Sequence, residues 1–194
     1  MNNSKNLRLA TLDDCTEILN IYAPFITDTV ITFEYDVPTV EEFKDRMRNI
    51  QAKYPWLVYE VDGKIAGYAY ASPFHVRAAY DWSVNFSIYI KPEYHGRHIG
   101  RTLYKALIEI LKLQGYCNAY SLITMPNDKS EGIHKNFGFT TMGLCKDVGY
   151  KFGQWHDVKW YELQMQPHPE KPETPKLIEE IVDTYEFKKI MTGQ

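Results

Sequence analysis

The stretch YDWSVNFSIYIKPEYHGRHIG, residues 80–100, decides how the chain is built. Trp82 to Ile90 alternates as a strand does. Val84, Phe86, Ile88 and Ile90 point one way; Ser83, Asn85, Ser87 and Tyr89 point the other. A polar face on a central strand implies a lined cleft. Gly96-Arg97-His98-Ile99-Gly100 then leads into RTLYKALIEILKLQG. There Ile99, Leu103, Leu107, Ile110 and Leu111 form one apolar helical face, and Gly115 can end the helix. A glycine loop between strand and helix leaves backbone N–H groups unpaired at the helix N-terminus, where the dipole also favours anions. Arg97 and Arg101 add positive charge. The loop alone is a weak signal, because such turns need glycine anyway. It matches neither the dinucleotide fingerprint nor the P-loop pattern, and the nucleophile-elbow and zinc-protease motifs are absent.

Outward from this unit, NLRLA reads as a first strand, and TLDDCTEILNIY as a helix capped by Thr11. VITFEYDVP is an irregular or extended piece. Thr39 caps a second helix running to Gln51, with Glu42 completing a capping box. PWLVYEVDGKIAGYAYAS is a hairpin turning at Asp62-Gly63. AYSLITM is a strand, DKSEGIHKNFG a short helix, and FTTMGLCKDVGYKFGQWHDVKWYELQM strands around a loop. The domain reads as residues 1–166. Residues 167–194 follow as a Pro-rich linker, QPHPEKPETP, and one amphipathic helix carrying Leu177, Ile178, Ile181, Val182 and Tyr185. That helix docks on the domain or on a partner; disorder is the competing reading.

Composition bounds the function. A chain of 194 residues favours one domain plus a tail, and 24% charged residues is ordinary for a soluble globule. A net charge of −3 marks no nucleic-acid binder. No run of about 18 apolar residues predicts a membrane span. Three scattered cysteines and the absence of a signal pattern in MNNSKNLRLA suggest a cytoplasmic protein. The histidines and cysteines show no metal-binding spacing. The 14% of aromatic residues fits either a walled pocket or ordinary core.

YHGRHIGRTLYKAL resembles the coenzyme A loop and helix of the GNAT acetyltransferases. AYDWSVNFSIYI, MPNDKSEGIHKNFGF, GYKFGQWHDVKWYELQ and the TFE at Thr32–Glu34 are similar to the phosphinothricin acetyltransferase branch, over about Leu7 to Met165. The resemblance implies an α/β (α+β) fold: a mixed, mostly antiparallel sheet with splayed central strands, flanked by helices. It implies acetyl-CoA as co-substrate, a small amino acid-like amine as acceptor, and a homodimer. Backbone at Ile88, Tyr89 and Ile90 would pair with the pantetheine arm, His95 to Arg101 would hold the pyrophosphate, and Asn127 would bond the cofactor. His95 and His98 depart from the family, which prefers Gln or Arg and then Gly. An altered affinity follows from that, not a lost one. Phe33, Glu34, His75, Val76, Arg77 and Trp82 would line the acceptor site, with Tyr80 as a further aromatic wall.

The branch carries its Glu base where Asn85 stands, and an amide takes no proton at neutral pH. Losing a general base typically costs about 10²- to 10⁴-fold, while proximity alone contributes roughly 7–11 kcal/mol. A slower or different enzyme is expected before a dead one. His134 is the leading replacement, its imidazole being suited to proton exchange; packing on Phe137 and Phe139 is the other reading. Glu34 is a second candidate base. His156 beside Asp157 invites a pair, but neighbours on a strand face opposite ways. A coenzyme-binding module with little catalysis and a peptide N-acetyltransferase remain as alternatives.

Overall fold

The computed structural model describes residues 5–193. The first four residues, part of the segment read above for a signal, and Gln194 lie outside it. Seven strands form one sheet in the order β1-β2-β3-β4-β5-β7-β6. They are β1 (Lys5–Leu9), β2 (Trp56–Val61), β3 (Lys64–Pro73), β4 (Ser83–Ile90), β5 (Asn118–Thr124), β6 (Thr140–Lys151) and β7 (Gln154–Gln164). Every neighbouring pair is antiparallel except β4–β5, which is parallel. The expected mixed, mostly antiparallel sheet is therefore present. The β2–β3 hairpin turns at Asp62 (φ 54°) and Gly63 (φ 76°), the left-handed pair that matches strand twist.

Helices α1 (Cys15–Thr27) and α2 (Val40–Gln51) cover one face of the sheet, burying Ile18, Phe43 and Met47 against Trp56, Val58 and Tyr68. Thr39 and Glu42 cap α2 reciprocally. α1 starts later than expected, at Cys15: Leu12–Asp14 is a 3-10 turn in which Asp14 accepts from the Thr11 N–H at 2.7 Å. On the other face lie α3 (Ile99–Gln114) and α4 (Asp128–Asn136). All five residues of the α3 stripe are buried, at roughly 1.5–3 kcal/mol each.

The C-terminal segment differs from the single helix expected. It forms α5 (Ile178–Ile181) and α6 (Tyr185–Thr192), because Thr184 breaks the run and caps the second piece through the Phe187 N–H. The break rotates Tyr185 out to 74% exposure, while Ile181 and Phe187 join the core beside α3. The apolar stripe is thus spent within its own chain. Among the described residues no helix is long and apolar enough to cross a membrane.

Candidate active site

Strands β4 and β5 pair only at Ser83–Asn118, Val84–Ala119 and Asn85–Tyr120. Beyond that point Phe86–Ile90 stays with β3 and Ser121–Thr124 with β7. The sheet opens as a V whose vertex lies past Asn85 and Tyr120. At its wide end β4 runs through a 3-10 turn into α3. Among the described residues, no backbone carbonyl accepts from the N–H groups of residues 96–101, and Gly96, Arg97, His98 and Arg101 are exposed. That row of donors fits a diphosphate. His98 sits at the α3 N-cap with φ 61° and makes no side-chain cap, its ring exposed. His95 turns back and donates from Nε2 to the Ile90 carbonyl at 3.0 Å, so one carbonyl of the Ile88–Ile90 run already has a partner. Arg97 lies 5.2 Å over the Tyr94 ring. Asn127 caps α4, its Oδ1 accepting from the Ser130 N–H at 3.1 Å.

The register places Ser72 and Tyr70 of β3 and Tyr120 of β5 on the same face as Asn85 and Ser87. Asn85 donates from Nδ2 to the Pro73 carbonyl at 3.0 Å, while its Oδ1 is buried without a partner. Phe74 stacks on Tyr120 at 4.1 Å. Burial pushes the Tyr70 phenol up, against the opposing pull of Ser87 and the Arg46 charge. Glu34 is gripped by Arg46 at 2.7 and 3.2 Å and accepts from the Tyr22 hydroxyl at 2.9 Å. Its two oxygens are committed to those bonds. Glu34 therefore shapes the wall, and its ion pair with Arg46 weighs against the reading of it as a second base.

The segment bearing Phe33 and Glu34 is fastened to the β6–β7 hairpin. Lys151, 1% exposed, donates to the carbonyls of Ile26 and Thr32, each at 2.7 Å. Ile26 lies in the last turn of α1, so the ammonium also meets the negative end of that helix. Burial lowers the Lys151 pKa, and Glu34 opposes the shift. The Tyr35 hydroxyl donates to the Tyr150 carbonyl. The Phe33 ring lies on Gly149 so closely that a Cβ there would sit 2.1 Å from it. His156 faces Phe33 with centroids 6.3 Å apart and bonds the Lys151 carbonyl at 3.0 Å. Asp157 instead accepts from the Asp147 N–H, so no His–Asp pair forms. Nothing in the sequence reading singled out Lys151, Gly149 or Tyr120; Lys151, a lone cation among the aromatics of GYKFGQW, was the one available signal.

Other expected acceptor residues are not brought together. Trp82 has the strand parity of Val84, opposite to Asn85, and donates from Nε1 to the Glu173 carbonyl of the tail at 2.8 Å. This corrects its assignment to the acceptor wall: the tail claims it. His75, Val76 and Arg77 stand exposed on the loop between β3 and β4, with Val76 at 94% exposure. Tyr80 packs on Phe74 and His75 in that loop.

His134 lies on the opposite face from Asn85, 3% exposed, among Tyr104, Phe139 and Tyr161. Its Nδ1 donates to the Ser130 carbonyl at 2.7 Å, and its Nε2 accepts from the Tyr104 hydroxyl at 2.9 Å. Burial lowers its pKa, and the Ser130 bond works the other way. Next to it, Glu131 is held below the usual carboxylate range by Lys159 and Tyr161. Among the described residues no cluster of His, Cys, Asp and Glu is placed to hold a metal ion.

A family model described as an acetyltransferase (GNAT) domain matches residues 7–160. The phosphinothricin N-acetyltransferase of Streptomyces viridochromogenes is 36% identical over 172 residues, covering 87% of this chain and 94% of its own. The L-methionine sulfoximine/L-methionine sulfone acetyltransferase of Salmonella typhimurium is 30% identical, covering 84% of this chain and 95% of its own. A Sinorhizobium meliloti phosphinothricin acetyltransferase, solved in complex with acetyl-CoA, superposes with a TM-score of 0.82 at 30% identity. It covers 91% of this chain and 98% of its own.

Proposed function

The chain belongs to the GNAT acetyltransferase family and uses acetyl-CoA, and from that footing we propose that it acetylates the amine of a small amino acid-like substrate of the phosphinothricin or methionine sulfoximine type. The observation that carries this reading is the orphan Oδ1 of Asn85, buried on the aromatic-walled face at the vertex of the V. A buried acceptor without a partner costs about 1–3 kcal/mol. An N–H of the bound amine relieves that cost, so Asn85 binds and orients the acceptor where its relatives' fold would place a base. Phe33, Tyr70 and Tyr120 wall that site, with Glu34 and Arg46 behind Tyr70. Arg77, on the loop rooted at Pro73, pairs the acidic group of the substrate with its planar fork.

Acetyl-CoA supplies an activated thioester. The N–H groups of residues 96–101, with Arg97 and Arg101, hold its diphosphate, and the unpaired edge of β4 at Ile88 and Tyr89 lines the arm. A backbone N–H near Ile88 meets the developing oxyanion. Asn85 cannot remove a proton, so its contribution is proximity and orientation.

The test compares wild type, Asn85→Glu and Asn85→Ala by thiol release from acetyl-CoA with phosphinothricin, methionine sulfone and other amines. Glu is expected to raise turnover by 10-fold or more, within the roughly 10²- to 10⁴-fold span of a general base, and Ala to raise KM for the amine. No change in either variant sinks the assignment of Asn85. Thiol release that no amine lifts above background makes the protein a coenzyme-binding module instead.

A further inference from the structure

Within the described sheet, the halves β1–β4 and β5–β7–β6 meet only at the three β4–β5 pairs, so the opening between them hangs on a short joint. The segment after β7 lies beyond the matched residues 7–160 and bonds that joint from outside. It leaves β7 with the Met165 N–H donating to the Cys117 carbonyl and the Gln166 side-chain amide donating to the Tyr116 carbonyl, each at 2.8 Å. His168 then donates from Nε2 to Asn118 Oδ1 at 2.9 Å, and Asn118 Nδ2 reaches the Ser83 hydroxyl at 3.4 Å. Ser83 and Asn118 are the first of the three pairs. Further on, the Glu173 carbonyl accepts from the Trp82 indole N–H. The Trp82 carbonyl accepts from the N–H groups of Cys117 and Asn118 at 2.9 and 3.2 Å. Trp82 is thus held by β5 at one end and by the tail at the other. The Lys176 N–H donates to the Gln114 carbonyl at 2.7 Å, and the Gln114 side chain donates back to the Lys176 carbonyl at 2.6 Å. Ile181 and Phe187 then enter the core beside α3, and α6 packs on β1. The tail therefore starts on one half-sheet, bonds both sides of the joint and ends on the other half. Pro167, Pro169, Pro172 and Pro175 fix φ along the crossing, which limits the chain entropy lost on docking.

We propose that the tail is a clamp on the closed end of the V, with Trp82 and His168 as its positioning residues, and that it sets the width of the coenzyme slot. This rests on the placement of acetyl-CoA given above. Strands that diverge from a short joint act as levers. A strand rises about 3.3 Å per residue, so Ile88 stands roughly 17 Å along β4 from Ser83. A rotation of about 5° at the joint moves Ile88 by about 1.5 Å, well outside the roughly 0.5 Å range over which an N–H···O bond keeps its length. The tail bonds lie where such a rotation starts. Without them the β4–β5 pairs and α3 still join the halves, so the fold persists, but fewer molecules hold the slot at its binding width. The apparent Kd of the coenzyme rises as that fraction falls.

The test combines Trp82→Phe, which keeps a ring and loses the donor, with His168→Ala, which removes the bond to Asn118 at an exposed site. In the double variant the amides of Cys117 and Asn118 should exchange with solvent on the order of 10-fold faster, the scale of one lost hydrogen bond, while those of β2 and β3 keep their rates. The Kd for coenzyme A by calorimetry should rise about 3-fold or more. Unchanged exchange at both amides overturns the clamp, and so does faster exchange at an unchanged Kd. Ile18→Val, in the core on the α1 face, controls for general destabilisation. It should lower Tm while its Kd matches wild type; a Kd raised as much as in the double variant leaves the tail a purely structural part and overturns the proposal. If Trp82→Phe does not fold, His168→Ala carries the test alone, with the same two readouts and the same refuting results. Both readouts need only coenzyme A. If wild type binds it and acetylates no amine, the functional reading fails, and the clamp stands or falls on these measurements.

Discussion

His98→Gly is expected to make the protein more stable. His98 carries φ 61° and ψ 10° at the N-cap of α3. The left-handed conformation costs an L-residue about 1–2 kcal/mol, because Cβ crowds the following carbonyl. Glycine escapes that cost but gives back about 0.5–1 kcal/mol in unfolded-chain entropy. The imidazole is exposed and makes no bond within the described residues; only the His98 carbonyl is used, by the Thr102 N–H at 3.0 Å. The net gain is about 0.5–1 kcal/mol, or roughly 1–4 °C in Tm for a chain of this size. Urea titration should move the midpoint upward at unchanged m. His98→Ala is the control: it keeps Cβ and loses the ring, so its stability should stay within about 0.5 kcal/mol of wild type, the range usual for surface changes. If Ala gains as much as Gly, or Gly gains nothing, backbone strain at His98 is not the cause.

Gly149→Ala should push Phe33 off the hairpin, since the added carbon would stand 2.1 Å from its ring. A loss of about 1–3 kcal/mol in stability and a raised amine KM, with KM for acetyl-CoA unchanged, are expected from melting and steady-state kinetics. Asp14 gives a pH signature. Burial alone would raise its carboxyl, but the Arg8 hydrogen bonds, with those from Thr11, outweigh burial and hold it below the ordinary carboxylate value. A depressed folded pKa contributes stability above the unfolded value near 3.9 and loses it as pH falls through the folded one. Asp14→Asn should therefore lower Tm at pH 7 and narrow its gap to wild type between about pH 4 and pH 2; a gap constant with pH contradicts this.

Much of the frame was legible because it is written in short-range periodicity. The Asp62-Gly63 hairpin, the Thr39–Glu42 box and the α3 stripe all lie within a few residues of their cause. The C-terminal run misled for the same reason: its spacing fits one helix, but Thr184 caps a second. Trp82 was misplaced because its alternation was clear and its partner, Glu173, lies 91 residues away.

The sequence by itself determined the strand–loop–helix unit, the row of free N–H groups after β4, and the amide at position 85, since each follows from local geometry and residue chemistry. Only the tertiary structure decided that Glu34 is spent on Arg46, that Lys151 ties the Phe33 segment to a hairpin 119 residues away, and that His134 meets Tyr104. Those pairings depend on strand register and helix docking. A hydrogen bond forms only within about 3 Å, and no local pattern in the chain encodes which distant groups arrive at that distance.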